Sequence, residues 1–157
     1  MTEDFVEVDG FGRLPCCAYG SEGVQERLAA LVIAGRKRAT VWDGREGNPT
    51  APGMLCAVMV AGRAVAVIET VTVGRRRFCD IDAEFAAVER EGDGSLAFWR
   101  AAHEEYFRKA GGFDPKMWLW CEGFRLVAVL DRALEAAAAG HVAAEEAEAA
   151  AYLAGRG

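Results

Sequence analysis

Two β-rich runs, Met54 to Val60 and Ala64 to Val73, are separated only by Ala61-Gly62-Arg63. A link that short cannot carry a crossover, so the pattern is that of an antiparallel hairpin. Around it the chain alternates between periodicities. From Ser21 to Ala34 the apolar residues Val24, Leu28, Leu31 and Val32 recur at helical spacing, with Ser21 placed as N-cap and Gly35 as the residue that ends the helix. A short extended piece follows around Ala39 to Trp42, and a loop rich in Gly, Asn, Pro and Asp runs from Asp43 to Gly53.

Beyond the hairpin, Asp82 is placed to cap a short helix reaching Glu89, which Gly92-Asp93-Gly94 ends. Ser95 is placed to cap a second helix through Lys109, with Leu96, Trp99, His103, Tyr106 and Phe107 along one stripe. A last β-rich run covers Met117 to Leu130, and past Asp131 the composition shifts to Ala and Glu, which predicts one or two helices broken at Gly140. Without a regular βαβ rhythm, the expected class is α+β, a small β-barrel decorated by helices. The expected division is a domain over 1–130 and a helical C-terminal extension over 131–157.

The length fits one domain, and 52% apolar residues suffice for a core. No apolar run approaches a membrane span, and Met1-Thr2-Glu3-Asp4 lacks a signal peptide's basic start, so a cytoplasmic location is expected. The five cysteines contain no Cys-x-x-Cys pair and read as reduced, packed thiols. Neither His103 nor His141 has zinc-ligand spacing with a cysteine. No bound metal or cofactor is expected, although carboxylates leave loose magnesium open. The net charge of −6 argues against a general nucleic-acid coat. Cations nonetheless cluster at Arg36-Lys37-Arg38 and Arg75-Arg76-Arg77, while Glu145, Glu146 and Glu148 lie in the tail. A local basic mouth suits one nucleotide or a short strand better than a long duplex.

Several stretches, in order, resemble the ASCH family of PUA-like barrels. They are Leu31-Val32-Ile33-Ala34-Gly35, then Arg36-Lys37-Arg38-Ala39-Thr40, which is similar to the family's Gly-x-Lys-x-x-Thr signature. Next come Val67-Ile68-Glu69-Thr70, Phe85-Ala86-Ala87-Val88-Glu89, Gly92-Asp93, Ser95-Leu96, Trp99-Arg100 with His103, and Cys121-Glu122-Gly123-Phe124-Arg125. The resemblance implies a barrel with a cleft under the signature loop and a role with RNA or nucleotides. In the branch similar to amidohydrolases acting on N-acylated cytidine, it implies a lysine, a threonine and a glutamate as the working set. Carried over, these are Lys37, Thr40 and Glu89. Two departures are the lack of an aspartate after Pro52-Gly53 and the presence of Arg38 inside the signature.

Amide hydrolysis needs a nucleophile, a base and an acid for the leaving amine. Thr40 is the expected nucleophile and Lys37 its base, its amine made less basic by burial and by Arg36 and Arg38. Glu89 is the supporting acid. Trp42 and Arg38 are expected to hold the base and a ribose or phosphate, with Arg36, Glu69 and His103 as further binding residues. Glu69 has two equal readings, outward alternation or a second acid in the cleft. His103 reads as a hydrogen-bonded structural residue, or as a general acid or base in a ribonuclease that also uses Lys37. Without the resemblance, Arg36-Lys37-Arg38 suits a solvated helix end better than a functional site, and the resemblance reverses that order; Arg75-Arg76-Arg77 suits a solvated strand end, with phosphate contact as the lesser reading. The expected partner is a modified pyrimidine nucleoside or short RNA, an RNA-binding module being the alternative to an enzyme. The Ala/Glu tail is expected to pack on the barrel or on a second copy.

Overall fold

The computed structural model describes residues 4–20 and 23–156. The six strands are β1 (Phe5–Val8), β2 (Gly12–Cys17), β3 (Ala39–Asp43), β4 (Leu55–Val60), β5 (Arg63–Arg77) and β6 (Trp118–Val129). The four α-helices are α1 (Gln25–Ile33), α2 (Ala83–Glu89), α3 (Leu96–Lys109) and α4 (Arg132–Arg156). The strands form one mixed sheet in the order β1-β2-β4-β5-β6-β3. All neighbours are antiparallel except β2 and β4, which run parallel through Cys16–Cys17 and Ala57–Val58.

The β4–β5 hairpin turns on Ala61 and Gly62, both at positive φ (50° and 79°). That mirror-image geometry matches the twist of paired strands. β5 then runs on to Arg77 and pairs with β6 along most of its length, with register shifts at Val67/Ile68 and Thr70/Thr72 that bend the sheet.

The class is α+β, as expected, with the C-terminal helix in place. The sheet, however, does not close into a barrel among the described residues: β1 and β3 are its two edges. A helix meets the free edge of β3, because Arg38 N donates to Val88 O of α2 at 2.9 Å. Strands β1 and β2 fall in a stretch that the sequence pattern left unassigned. Asp82 and Ser95 cap α2 and α3, accepting from Phe85 N and Phe98 N. Ser21, the expected cap of α1, lies outside the described residues.

Apolar burial is divided between the two faces of the sheet. Leu28, Leu31 and Val32 of α1 pack with Val58, Val65 and Ile68 and with Leu134 and Ala138 of α4. On the other side Trp99 and Phe107 of α3 pack against Phe78, Ile81 and Leu119.

Gly140 does not break α4, which is continuous over all its 25 residues. The alanine-rich surroundings carry the helix through a residue that costs about 1 kcal/mol relative to alanine. A Cβ built on Gly140 meets nothing within 4 Å. Gly140→Ala is therefore expected to raise stability by about 0.5–1 kcal/mol, read as a higher denaturant midpoint at unchanged slope. No described helix is long and apolar enough to cross a membrane.

Candidate functional site

The turn out of α1 sets the direction of the signature residues. Gly35 sits at φ +76°, a conformation that costs a side-chain-bearing residue energy, and the chain folds back so that Arg36 N and Lys37 N both donate to Leu31 O. The three adjacent cations consequently separate. Arg36 and Arg38 are exposed, Arg36 lining a shallow pocket with Glu135 and Ala138 of α4, whereas Lys37 points into the protein with no exposed surface.

The Lys37 ammonium donates to Ala39 O at 2.8 Å, to Glu91 Oε2 at 2.8 Å and more weakly to Glu89 O at 3.4 Å. Its nitrogen also lies 5.4 Å from the centroid of the Tyr19 ring. Glu91 is brought there by the end of α2. Arg90 adopts a left-handed conformation (φ 59°), and Gly92 N donates to Glu145 Oε2 of α4, which pins the returning loop.

Behind this pair is a second one. Glu89 is fully buried on α2 and accepts at Oε1 from Trp99 Nε1 (3.0 Å) and His103 Nε2 (2.8 Å), two groups one turn apart on α3. His103 Nδ1 also lies 2.8 Å from Trp99 O, which can only accept. Nδ1 therefore carries a proton, and the Glu89 carboxylate at Nε2 favours the imidazolium. Burial lowers its pKa, but Glu89 and Glu91 outweigh that and raise it. For Glu91, burial alone would raise the carboxyl, and the neighbouring Lys37 and His103 charges override it, holding it at about 2. Glu89 Oε2 is buried and, among the described residues, has no hydrogen-bond partner.

The network opens onto a cleft of 640 Å³ between α3, β3 and the segment after β2. Thr40 and Trp42 from β3, Tyr19, Glu91, His103 and Tyr106 are among the residues that line it. Lys37 and Glu89 lie behind that surface. A further buried carboxylate, Glu122, sits opposite Thr40 in the β3–β6 register and accepts from Trp42 Nε1 (3.0 Å) and Thr70 Oγ1 (2.9 Å). Burial pushes its pKa up, and Thr70 in turn shares a 2.6 Å hydrogen bond with Thr50.

A sequence profile of the ASCH domain matches residues 15–128. The chain belongs to the ASCH domain family. Its fold is similar to that of an ASCH domain from Lactobacillus crispatus JV V101, with 26% identity and a TM-score of 0.64 over 72% of this chain and 79% of that one. It is also similar to a protein of Enterococcus faecalis V583 assigned to the DUF984 family, with 25% identity, a TM-score of 0.63 and the same shares covered. A search of curated proteins returns no match.

Within this ASCH domain the expected trio is only partly assembled. Lys37 and Glu89 meet through the Glu89 backbone carbonyl, not through its carboxylate. Lys37 has no hydrogen bond to Thr40: its N–H bonds go to two carbonyls and Glu91. An amine engaged in this way has no lone pair to offer a hydroxyl. The ribonuclease reading meets the same obstacle, because Lys37 does not reach the cleft surface. Trp42 and His103 do line the cleft. Glu69 faces away from it and pairs with Arg125 at 2.7 Å, the outward alternative.

The sequence reading assigned no role to Glu91, Glu122 or Tyr19. Glu122 had a usable signal, a lone carboxylate in mid-strand between Cys121 and Phe124. Glu91 had none, since Glu89-Arg90-Glu91 reads as an ordinary solvated helix end.

One atom each from Glu89, Glu91 and His103 lie within 4.8 Å of one another, close enough to share a cation. The charges fit one poorly. Two carboxylates are already balanced by the Lys37 ammonium and the His103 imidazolium, so a divalent ion would leave an excess of buried positive charge.

Proposed function

We propose that this ASCH domain removes the acyl group from an N-acylated cytidine-type nucleoside or nucleotide, in the cleft between α3 and β3. The observation that carries the reading is Thr40 and Glu91 on one aromatic cleft, backed by a linked network of four ionisable groups. Burying Lys37, Glu89, Glu91 and His103 together costs solvation energy that apolar packing would avoid, and such clusters concentrate at functional sites. The faces of Trp42 and Tyr106 offer flat walls for a pyrimidine, and the Trp42 N–H is already engaged with Glu122.

The roles differ from those expected of the signature. Thr40 Oγ attacks the acyl carbon as its proton passes to Glu91, and the carbonyl π electrons move to oxygen. When the intermediate collapses the C–N bond breaks, and the proton goes from Glu91 to the leaving nitrogen. Water then attacks the acyl-threonine ester, losing a proton to Glu91. The ester C–O bond breaks, the proton returns to Thr40, and the carboxylic acid leaves. Glu91, held at about 2, is a weak base. The leaving aminopyrimidine is much less basic than an alkylamine, so the acyl carbon is more electrophilic and the C–N bond breaks more readily than in an alkyl amide. Lys37 acts as a positioning residue that holds the Glu91 carboxylate, and Glu89 with His103 fixes the layer behind it.

The direct test is mass spectrometry of reactions containing acetylcytidine, longer acyl homologues and their 5′-monophosphates. Cytidine and free acid should appear in equal amounts and depend on the protein. Ligand retained on the protein without product would replace hydrolysis by the binding-module reading, and neither binding nor product would reject both.

A further inference from the structure

The far ends of β5 and β6 carry an arrangement that the cleft does not use. Arg75 stands opposite Trp120, and Arg77 opposite Trp118, so these four side chains share one face of the sheet. Arg76 takes the opposite face, over the Phe85 ring and 3.9 Å from Asp82. On the first face the Arg75 guanidinium lies 4.8 Å from the Trp118 ring centroid and 5.5 Å from that of Trp120, and the Arg77 guanidinium lies 4.3 Å from Trp118. Trp118 remains 38% exposed.

Two features separate this stripe from an ordinary wet strand end. Stacking holds the guanidiniums in place, and among the described residues each donates to only one backbone carbonyl, Gly44 O for Arg75 and Lys116 O for Arg77. Most of their N–H groups are thus left to face a ligand. In addition, among the described residues neither has a carboxylate within ion-pair distance, although the chain as a whole carries a net charge of −6. By contrast Arg27, Arg45, Arg63, Arg90, Arg108 and Arg125 all have acidic partners.

The stripe is also continuous with the cleft. Trp120 pairs across the sheet with Trp42, a cleft wall, and its Nε1 donates to Glu46 O, where Glu46 is another lining residue.

We propose that Arg75 and Arg77, stacked on Trp118 and Trp120, bind the phosphate backbone of a single-stranded nucleic acid whose modified base enters the adjacent cleft. The two arginines are separated by about 7 Å along the strand, a step comparable with one extended nucleotide. Guanidiniums suit phosphate because they present planar, paired donors. On this account the preferred substrate is a modified residue within a short strand, and the free nucleoside is a truncated version of it. The substrate part of this inference rests on the hydrolase reading, whereas the binding part does not.

The experiment uses the full chain and a fluorescently labelled eight-nucleotide single-stranded RNA containing one acetylcytidine, with anisotropy followed across a salt series. The Arg75→Gln/Arg77→Gln variant is expected to bind at least tenfold more weakly at low salt. Its log–log salt slope should fall by about 1.4, the value for two phosphate contacts on a single strand. Arg75 is exposed and Arg77 partly so, and neither belongs to the apolar core, so circular dichroism and melting should match the wild type. Turnover of free acetylcytidine should stay unchanged. Equal affinity and slope for variant and wild type, or no binding by the wild type, would overturn the proposal. Binding that depends on the arginines without any turnover would uphold the stripe while rejecting the hydrolase.

Discussion

Lys37→Ala is expected to cost the domain about 3–5 kcal/mol, the range for removing one partner of a buried ion pair. Lys37 has no exposed surface, and its ammonium holds Glu91 and the carbonyls of Ala39 and Glu89. The substitution leaves those acceptors without a donor and opens a cavity among packed side chains. Against a total stability of about 5–15 kcal/mol, such a loss is large. Lys37→Met fills the space without the charge and should be nearly as harmful, and adding Glu91→Gln to it should recover part of the loss. Chemical denaturation of the three variants measures this, and a Lys37→Ala midpoint equal to that of the wild type would refute the account.

The same pair fixes the acid limb of stability. A carboxyl whose folded pKa lies below its unfolded value stabilises the fold above the unfolded value, and that contribution is lost as pH falls through the folded one. For Glu91 the interval runs from 4.5 down to about 2. His103 acts in the opposite direction: its raised pKa stabilises the fold below 6.5, and the contribution is lost as pH rises through the folded value. Denaturant midpoints taken across this range should therefore drop at both ends. In Lys37→Met the acid-side drop should begin at higher pH, because Glu91 has lost the larger of its two cationic neighbours.

Thr40→Ala is expected to lower turnover of acetylcytidine on the order of 10³-fold or more, since no other step supplies the attacking oxygen. Thr40→Ser keeps that oxygen and should retain activity within about tenfold of the wild type. The pair separates chemistry from packing. Thr40 is 6% exposed, and its loss should cost only about 1 kcal/mol of stability, so a folded but inactive alanine variant is the informative outcome. Steady-state kinetics of both variants decide the matter. Full activity in Thr40→Ala would remove the covalent route and leave direct attack by water.

Most of the scaffold was legible because its signals are local. The hairpin link, the caps Asp82 and Ser95 and the glycine ending α1 each act through a few neighbouring residues, and each lies where the pattern put it. Strands β1 and β2 were not legible: they are short, and β2 joins the main sheet through only Cys16 and Cys17. Closure of the sheet depends on which edges meet, a long-range property that no periodicity reports.

The site divides along the same line. Lys37, Thr40 and Glu89 stand out as residue types in a pattern, but their partners depend on how α2 ends. A single left-handed residue at Arg90 puts Glu91, two positions beyond the expected Glu89, against the lysine. Glu69 had two readings for a related reason: side-chain alternation says that faces differ without saying which face holds the cleft.

The last helix bears on how the chain can be cut. Glu145 holds Gly92 N, Glu146 holds Arg90, and Tyr152 reaches Glu105 on α3, so α4 braces the short loop that presents Glu91. Trimming the polypeptide near residue 130, where composition invites a scissor, would discard that brace and free the carboxylate from its lysine. A minimal version of the domain would have to retain its own tail.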